Sequence, residues 1–146
     1  MSQHGGPFMQ FFREIFILEQ LSRNRMERVL PGSMKVSHFG VLNHLKGAQG
    51  QRSPAELAEN FQVTRPTMTN TLQKLDKAKF VNIVADPDDG RGKMVSISEA
   101  GEQALLEAIA ALASDFKDIA AGLGVESFVD AIPRVAKIRE YMDVHR

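Results

Sequence analysis

The side chains best suited to binding chemistry are concentrated in residues 64–77. Met68, Leu72 and Leu75 recur at helical spacing, which predicts a helix with one buried face. Its other faces carry polar side chains, namely Arg65, Thr67, Thr69, Asn70, Gln73 and Lys74. Amide side chains pair with adenine, cationic side chains pair with guanine or phosphate, and threonine offers bases a hydroxyl or a methyl group. The segment is therefore predicted to be a helix that reads nucleic acid.

The threonines and the asparagine of this segment argue against a purely solvated face. Both residue types are unfavourable inside helices, because their short polar side chains compete for backbone hydrogen bonds. Several of them nevertheless fall within residues 64–71. We expect a binding role to explain this composition, and the alternative is a plain solvent-facing surface.

A short helix is predicted immediately before this segment. Ser53 and Glu56 form a strong helix start around Pro54, since each can bond a first-turn amide and proline loses no helical bond there. The buried side of this helix is expected to comprise Leu57, Ala58 and Phe61. A turn at residues 62–63 leads to Thr64, which can cap the longer helix. Two capped helices joined by a tight turn are typical of a helix-turn-helix.

Two short β-strands are predicted after the longer helix. Alternating, β-branched residues place them at 81–85 and 94–97. The loop 86–93 contains proline and two glycines, which predicts a hairpin with a polar tip. Arg91 and Lys93 are placed to reach phosphate or an adjacent minor groove. Asp86 and Asp89 are expected to brace Arg91 or to accept hydrogen bonds from turn amides.

Charge is distributed unevenly along the chain, although the total is zero. Residues 34–98 carry nine Lys and Arg against six acids, a balance of +3. Residues 99–146 carry five basic residues against nine acids, a balance of −4. A local positive field attracts phosphate whatever the total charge, so the central segment is the part expected to meet nucleic acid.

The flanking segments are predicted to be helical and to join two copies of the chain. After a flexible N-terminus at residues 1–7, residues 8–30 carry nearly two apolar stripes, more than a surface helix needs. One interpretation is a central helix of a single core. The other, which we favour, is a helix shared between its own core and a second chain. The predicted dimerisation residues are Phe8, Phe11, Ile15, Phe116, Ile119, Ile132, Val135, Ile138 and Met142.

Three further helices complete the predicted fold, which is mainly α with a small β-hairpin wing (α+β). The first of these helices should be capped by Ser37 and should end between Gly47 and Gly50. Ser98 should cap a long helix whose apolar seam is Leu105, Ile109, Leu112, Phe116 and Ile119. The glycines expected to stop it are Gly122 and Gly124. Pro133 should kink the last apolar stretch or start a new segment. The predicted parts are 1–7, 8–33, 34–98 and 99–146.

No set of residues suits catalysis, a cofactor or a metal. The chain has no cysteine, which excludes disulfides and thiolate metal sites. The histidines lack metal-ligand spacing, so structural or exposed roles are favoured for His4, His38, His44 and His145. No segment approaches the roughly 20 apolar residues of a membrane span, and the start lacks the features of a secretory signal. We therefore expect a cytoplasmic protein that is not an enzyme.

The order of these elements resembles the MarR family of bacterial transcriptional regulators over nearly the whole chain. The most specific parts are residues 53–61, Val63-Thr-Arg-Pro-Thr-Met-Thr-Asn70, Asp86-Pro-Asp-Asp-Gly-Arg91 and Val95-Ser-Ile-Ser98 with the following Glu99-Ala-Gly101. The resemblance implies a two-fold dimer whose longer helix enters the major groove and whose wing arginine reaches the minor groove. It implies contacts from Arg65, Pro66, Thr67, Thr69, Asn70 and Arg91. The full predicted DNA-binding set adds Ser53, Gln73, Lys74 and Lys93.

Several positions depart from the family pattern. Gly90 precedes a single Arg91 where the family commonly has two arginines, and Val84-Ala85 replaces a frequent basic pair. Fewer cations neutralise fewer phosphates, so the salt dependence of DNA binding should be shallower than that of a strongly basic family member. Lys79 stands where a helix-ending glycine is common, so it should adopt a left-handed conformation or end the helix differently.

The resemblance also suggests a crevice for a small aromatic or apolar effector. The expected lining residues are Phe12, Phe16, Met34, His38 and Leu42, and the alternative is that they are ordinary core. The leading hypothesis is a homodimeric repressor that binds double-stranded DNA at a pseudo-palindrome. The zero net charge and thin wing motivate a second hypothesis, a winged-helix module that binds protein without DNA. A small enzyme is the third.

Overall fold

The computed structural model describes residues 6–146, so His4 and most of the predicted flexible N-terminus lie outside the described residues. Six α-helices and one antiparallel hairpin make up this part of the chain. They are α1 (Pro7–Val29), α2 (Val36–Ala48), α3 (Pro54–Asn60), α4 (Arg65–Lys77), β1 (Val81–Ala85), β2 (Lys93–Ile97), α5 (Glu99–Leu123) and α6 (Glu126–Val144). The predicted fold class is confirmed.

The chain divides into two compact units, Met1–Ala111 and Leu112–Arg146, with the division inside α5. The first unit contains the helix-turn-helix and the wing, and the second contains the end of α5 and all of α6. The four-part organisation drawn from the sequence stays a prediction. No helix among the described residues combines the length and apolar character that crossing a membrane requires.

The start of α2 differs from the sequence prediction. Lys35, and not Ser37, is the N-cap residue. The Lys35 N–H donates to Nδ1 of His38 at 3.1 Å, so an imidazole at the third helical position satisfies a first-turn amide. The helix closes within residues 47–50 as predicted, but the left-handed residue there is Gln49, with φ 49°, and not a glycine.

The core of the first unit lies where α2, α3, α4 and β2 meet. Its fully buried side chains are Val41, Leu42, Leu45, Leu57, Leu75 and Val95. Burying one such side chain contributes roughly 1.5–3 kcal/mol, so this core holds α4 against the other helices. An isolated bridge joins Arg52 to Val95 through N–H···O bonds of 2.9 and 2.8 Å, which ties β2 to the start of α3.

The buried face of α5 differs from the predicted seam. Ala104, Leu105, Ala108 and Leu112 are buried, whereas Ile109 is 43% exposed and Phe116 is 48% exposed. Leu105 and Leu112 of the predicted seam are therefore buried, and Ala104 and Ala108 complete the buried face in place of Ile109 and Phe116. The helix ends at Leu123 before Gly124, with φ 90°, while Gly122 lies within it.

Helices α1 and α6 contain no buried residue. On α1, Phe8 is 77% exposed and Phe16 is 70% exposed; on α6, Ile132 is 64% exposed. Pro133 lies inside one continuous α6, so it does not start a new segment. Both helices therefore carry apolar side chains that the described residues leave open to solvent.

Candidate nucleic-acid interface

The helix-turn-helix forms as its capping residues predict. Ser53 Oγ accepts from the Glu56 N–H at 3.2 Å, and Glu56 Oε2 accepts from the Ser53 N–H at 2.7 Å. The hydrogen bond from the Ser53 backbone lowers the pKa of the Glu56 carboxyl. Gln62, with φ 52°, makes the turn, and Thr64 Oγ1 accepts from the Thr67 N–H at 3.3 Å. The turn and the start of α4 are thus fixed by local hydrogen bonds.

Three of the threonines in residues 64–71 have structural roles, of which the cap at Thr64 was predicted and the roles of Thr67 and Thr71 were not. The hydroxyls of Thr64 and Thr67 lie 2.9 Å apart in the cap, and the buried Thr71 donates its hydroxyl to the Thr67 carbonyl at 3.2 Å. Met68, Leu72 and Leu75 are buried as predicted. Of the helix-unfavourable residues in this segment, Thr69 and Asn70 are those that neither the cap nor the core explains.

The remaining polar side chains of α4 point into solvent without an internal partner. Within residues 6–146, no side-chain hydrogen bond or ion pair engages Arg65, Thr69, Asn70 or Gln73. All four are exposed, as is Pro66. The protein therefore orders the helix while leaving its polar groups available to another molecule.

A cleft of about 630 Å³ separates α4 from the wing. It brings Thr69 and Gln73 of α4 together with Arg91 and Lys93 of the wing. Asp76 also lines this cleft and was not predicted, although it follows Gln73 by three residues on the same helical face. The cleft thus brings side chains that can bind base edges close to side chains that can bind phosphate. The carboxylate of Asp76 lies beside them.

The wing tip is held by its aspartates. Asp86 Oδ1 accepts from the Asp88 N–H at 2.9 Å, and Asp89 Oδ1 accepts from the Arg91 N–H at 3.1 Å. Of the two predicted roles, the hydrogen bonds to turn amides are confirmed. No acid among the described residues pairs with the Arg91 guanidinium, which is exposed. The Arg91 guanidinium is therefore available to another molecule, while hydrogen bonds hold the backbone of the wing tip.

Lys74 lies on the opposite side of α4, in a second cleft of about 740 Å³. Apolar residues of this cleft are Pro31, Met34, Leu75, Ala78, Phe80 and Ala104, and its charged or titratable residues are Lys35, His38, Lys74, Lys77 and Glu107. Of the predicted effector residues, Met34 and His38 line it. Leu42 is fully buried in the core, and Phe12 and Phe16 are not among the lining residues.

Partial burial lowers the pKa of His38, and the charges of Lys74 and Lys35 lower it further, while Glu27 opposes them. The neutral imidazole suits its structural role, because Nδ1 must accept from the Lys35 N–H. His44 stacks edge-on against Phe61 at 5.6 Å, and His145 stacks on Tyr141 at 4.1 Å. These three histidines thus have local packing or hydrogen-bonding roles.

Residues 33–92 match the family model described as MarR family. An uncharacterized HTH-type transcriptional regulator of Mycobacterium bovis is 32% identical over 84 residues, which cover 58% of this chain and 58% of that protein. The chain thus spans 58% of the length of the curated relatives it matches.

Two solved structures share the fold. A mutant MarR from E. coli complexed with operator DNA has a TM-score of 0.80 at 19% identity, covering 94% of this chain and 99% of that one. Bordetella bronchiseptica BpsR, whose DNA binding is regulated by 6-hydroxynicotinic acid, has a TM-score of 0.77 at 19% identity, covering 89% and 98%.

The capped helix pair, the paired strands after it and the cleft between α4 and the hairpin define a winged helix-turn-helix protein. Residues 33–92 thus match the MarR family model, and the chain shares the fold of MarR from E. coli. The resemblance to this family that the sequence predicted is thereby confirmed over residues 33–92.

Proposed function

We propose that this protein is a sequence-specific DNA-binding transcription regulator, a repressor that acts in the cytoplasm as a homodimer on a pseudo-palindromic operator. The observation that carries this proposal is the set of unpartnered polar side chains around the α4–wing cleft. Carrying such side chains on an ordered backbone without internal bonds suits a surface that meets another polar molecule. Its relatives are named transcriptional regulators, which supports regulation over enzymatic activity.

In the proposed complex, α4 enters the major groove and the wing lies beside it. Arg65, Thr67, Thr69, Asn70 and Gln73 face base edges or flanking phosphates, with Pro66 against the groove wall. Arg91 and Lys93 contact phosphate or the adjacent minor groove. Ser53 keeps a hydroxyl hydrogen that can be donated to phosphate, because its oxygen serves as the cap acceptor. Lys74 lies beside the cleft lined by Met34 and His38, and its long side chain is proposed to reach a phosphate from there.

The homodimer is supported by apolar side chains on α1 and α6. Neither helix buries a residue within this chain, and monomeric proteins rarely expose long apolar stripes. The proposed interface residues of these helices are Phe8, Phe11, Ile15, Ile132, Val135, Ile138 and Met142, with Phe116 and Ile119 from α5. A second copy would cover them and would present a second recognition helix about one duplex turn away.

A small aromatic or apolar effector is proposed for the cleft lined by Met34 and His38. Its apolar floor suits a ring, and Lys35 and Lys74 suit an acidic substituent. The BpsR likeness, with regulation by 6-hydroxynicotinic acid, supports such a site. Titration of the DNA complex with benzoate tests it, and release by benzoate should be weaker for Met34→Trp, which would fill the cleft.

Gel-shift titration tests DNA binding. The probe is a duplex that the parent protein selects from a random library, with unselected duplex as competitor. Preferential binding of the selected duplex supports the proposal. Failure to select any duplex would contradict it and would favour a winged-helix module that binds protein.

Arg91→Ala tests the wing in the same assay. Because phosphate or minor-groove charge contacts act on most sequences, affinity should fall for selected and random duplexes alike, and the log–log salt slope should fall by about 1. Lys117→Ala, an exposed cation of α5, is the matched control and should leave the slope unchanged. Equal affinity of Arg91→Ala and the parent at low and moderate salt would rule out the wing contact.

A further inference from the structure

The end of α4 and the start of α5 meet in a junction formed by Lys79, Phe80, Ser98 and Gly101, which we name the α4–α5 junction. The Ser98 hydroxyl donates to the Lys79 carbonyl at 2.6 Å and accepts from the Gly101 N–H at 3.0 Å. The Ser98 N–H donates to the Phe80 carbonyl at 3.0 Å. One serine therefore bonds both the chain leaving α4 and the first turn of α5.

Gly101 allows the two backbones to approach this closely. A Cβ at this position would lie 2.0 Å from the Phe80 carbonyl oxygen and 2.9 Å from Ile97 Cγ1. No side chain fits at that distance, so a residue other than glycine would push α5 away from the end of α4. The first turn of α5 thus rests directly on the backbone that follows the recognition helix.

Lys79 shows that this backbone is held by its surroundings. Its φ of 63° lies in the left-handed region, which is unfavourable for a residue with a Cβ. Such a conformation persists where neighbouring contacts determine it. The Lys79 N–H donates to the Asp76 carbonyl at 2.9 Å, and the Lys79 carbonyl accepts the Ser98 hydroxyl, so Ser98 acts on the strained residue itself.

We propose that Ser98 is a positioning residue for DNA recognition, which fixes the orientation of α4 against α5 through its bond to Lys79. The proposal rests on the proposed DNA binding. Hydrogen bonds to base edges require a fixed helix geometry, whereas contacts to phosphate tolerate small movements. Loss of the Ser98 hydroxyl therefore lowers affinity for the selected duplex more than affinity for random duplex.

The experiment measures both affinities for Ser98→Ala in the full chain, together with its urea unfolding midpoint. Loss of one neutral hydrogen bond corresponds to about a fivefold change in an equilibrium constant, so the ratio of selected to random affinity should fall about fivefold. Ser98→Thr keeps the hydroxyl and should restore the ratio. A merely structural serine would lower both affinities by one factor as the folded fraction falls, and that result would overturn the proposal.

Two variants separate the bond to Lys79 from other effects. Ser98→Asp can still accept at the helix N-cap but has no proton to donate to the Lys79 carbonyl, so its affinity ratio should fall as for Ser98→Ala. Glu102→Gln is the matched control, because it removes the 3.0 Å Lys46–Glu102 ion pair from the same turn of α5. Its ratio should equal that of the parent. A parent-like ratio in Ser98→Asp would overturn the proposal.

Amide hydrogen exchange of the DNA-free protein tests the junction independently of DNA binding. In Ser98→Ala, exchange should accelerate at Lys79, Phe80 and Gly101 but not in the core turns of α2. If the parent selects no duplex, the proposed function fails while exchange still decides whether Ser98 holds the junction. Unchanged exchange, or accelerated exchange with an unchanged affinity ratio, would overturn the positioning role.

Discussion

Thr69 and Asn70 are the helix-unfavourable residues of α4 that neither the cap nor the core explains. Their neighbours Thr64, Thr67 and Thr71 are engaged in the cap or the core. Structural roles therefore explain three of the helix-unfavourable residues in this segment, and two exposed side chains remain to be explained. At the scale of single residues, these two carry the argument for base reading.

Asn70→Ala should change which base is preferred at one operator position. An amide that pairs with adenine contributes about 1–3 kcal/mol of discrimination, and alanine removes it without a charge change. Competition with duplexes that carry single-base changes measures the effect. Asn43→Ala, an exposed asparagine of α2, is the control. If the base preferences of Asn70→Ala match those of the parent, Asn70 does not read a base.

His38 should make the free energy of unfolding depend on pH. Its pKa is lowered in the folded protein, chiefly by burial, so the unfolded chain binds more protons below the ordinary value of 6.5. The stabilising contribution is complete above pH 6.5 and is lost as pH falls through 6.5 towards the lower folded value. Lys74, Lys35, Glu27, Lys77 and Glu107 are the charged groups around it.

Urea unfolding at several pH values and one protein concentration measures this dependence. His38→Gln, whose amide can still accept from the Lys35 N–H, should flatten the slope just below pH 6.5. His44→Gln, in the same helix, should keep it because His38 remains. An unchanged slope in His38→Gln would assign the pH dependence to other groups.

At the scale of elements, helix ends depend on which residue tolerates the left-handed conformation. Gln49, Gln62 and Lys79 all have positive φ, at 49°, 52° and 63°. At the end of α2, glycines were expected to close the helix. Gly47 and Gly50 instead flank Gln49, which has the left-handed conformation. The left-handed residue at each of these three chain turns is therefore a residue with a Cβ and not a glycine.

Lys79→Gly should stabilise the protein. Removing the Cβ relieves left-handed strain of about 1–2 kcal/mol, offset in part by the greater freedom of glycine in the unfolded chain, so a gain of about 1 kcal/mol is expected. Urea unfolding at fixed protein concentration measures it. Lys77→Gly, within α4, should instead lose about 1 kcal/mol. A loss of stability in Lys79→Gly would mean that the lysine side chain contributes more than its backbone strain costs.

At the scale of the whole molecule, helix α6 presents apolar side chains that its own chain does not cover. Ile132 is 64% exposed and Met142 is 52% exposed, and the helix has no buried residue. A lone copy in water gains nothing from such a stripe. The homodimer proposed above supplies the missing contacts.

Ile132→Glu should dissociate the proposed dimer. An unpaired carboxylate in an apolar interface costs about 3–5 kcal/mol, so the dimer dissociation constant should rise by about 100-fold or more. Sedimentation over a concentration series measures it. Lys137→Glu introduces the same carboxylate at an exposed polar position of α6 and should leave the mass unchanged. A parent-like mass for Ile132→Glu would remove Ile132 from the interface.

Much of this protein is determined by interactions between residues close in sequence. Ser53 and Glu56 satisfy each other's amides across three residues, and Met68, Leu72 and Leu75 share a face because a helix repeats every 3.6 residues. The strands 81–85 and 93–97 pair on either side of a loop. The aspartates of this loop accept hydrogen bonds from backbone amides of the same turn. The sequence therefore suffices to predict the helix-turn-helix, the wing and the resemblance to the MarR family.

Only the tertiary structure decided which polar groups share a surface. Lys74 and Gln73 are adjacent in sequence but line different clefts, and Asp76 joins Gln73 beside Arg91. The first turn of α5 approaches a carbonyl 21 positions earlier in the chain, because a Cβ at Gly101 would lie 2.0 Å from the Phe80 oxygen. Such contacts join residues that are far apart in sequence. Patterns among neighbouring residues therefore cannot predict them.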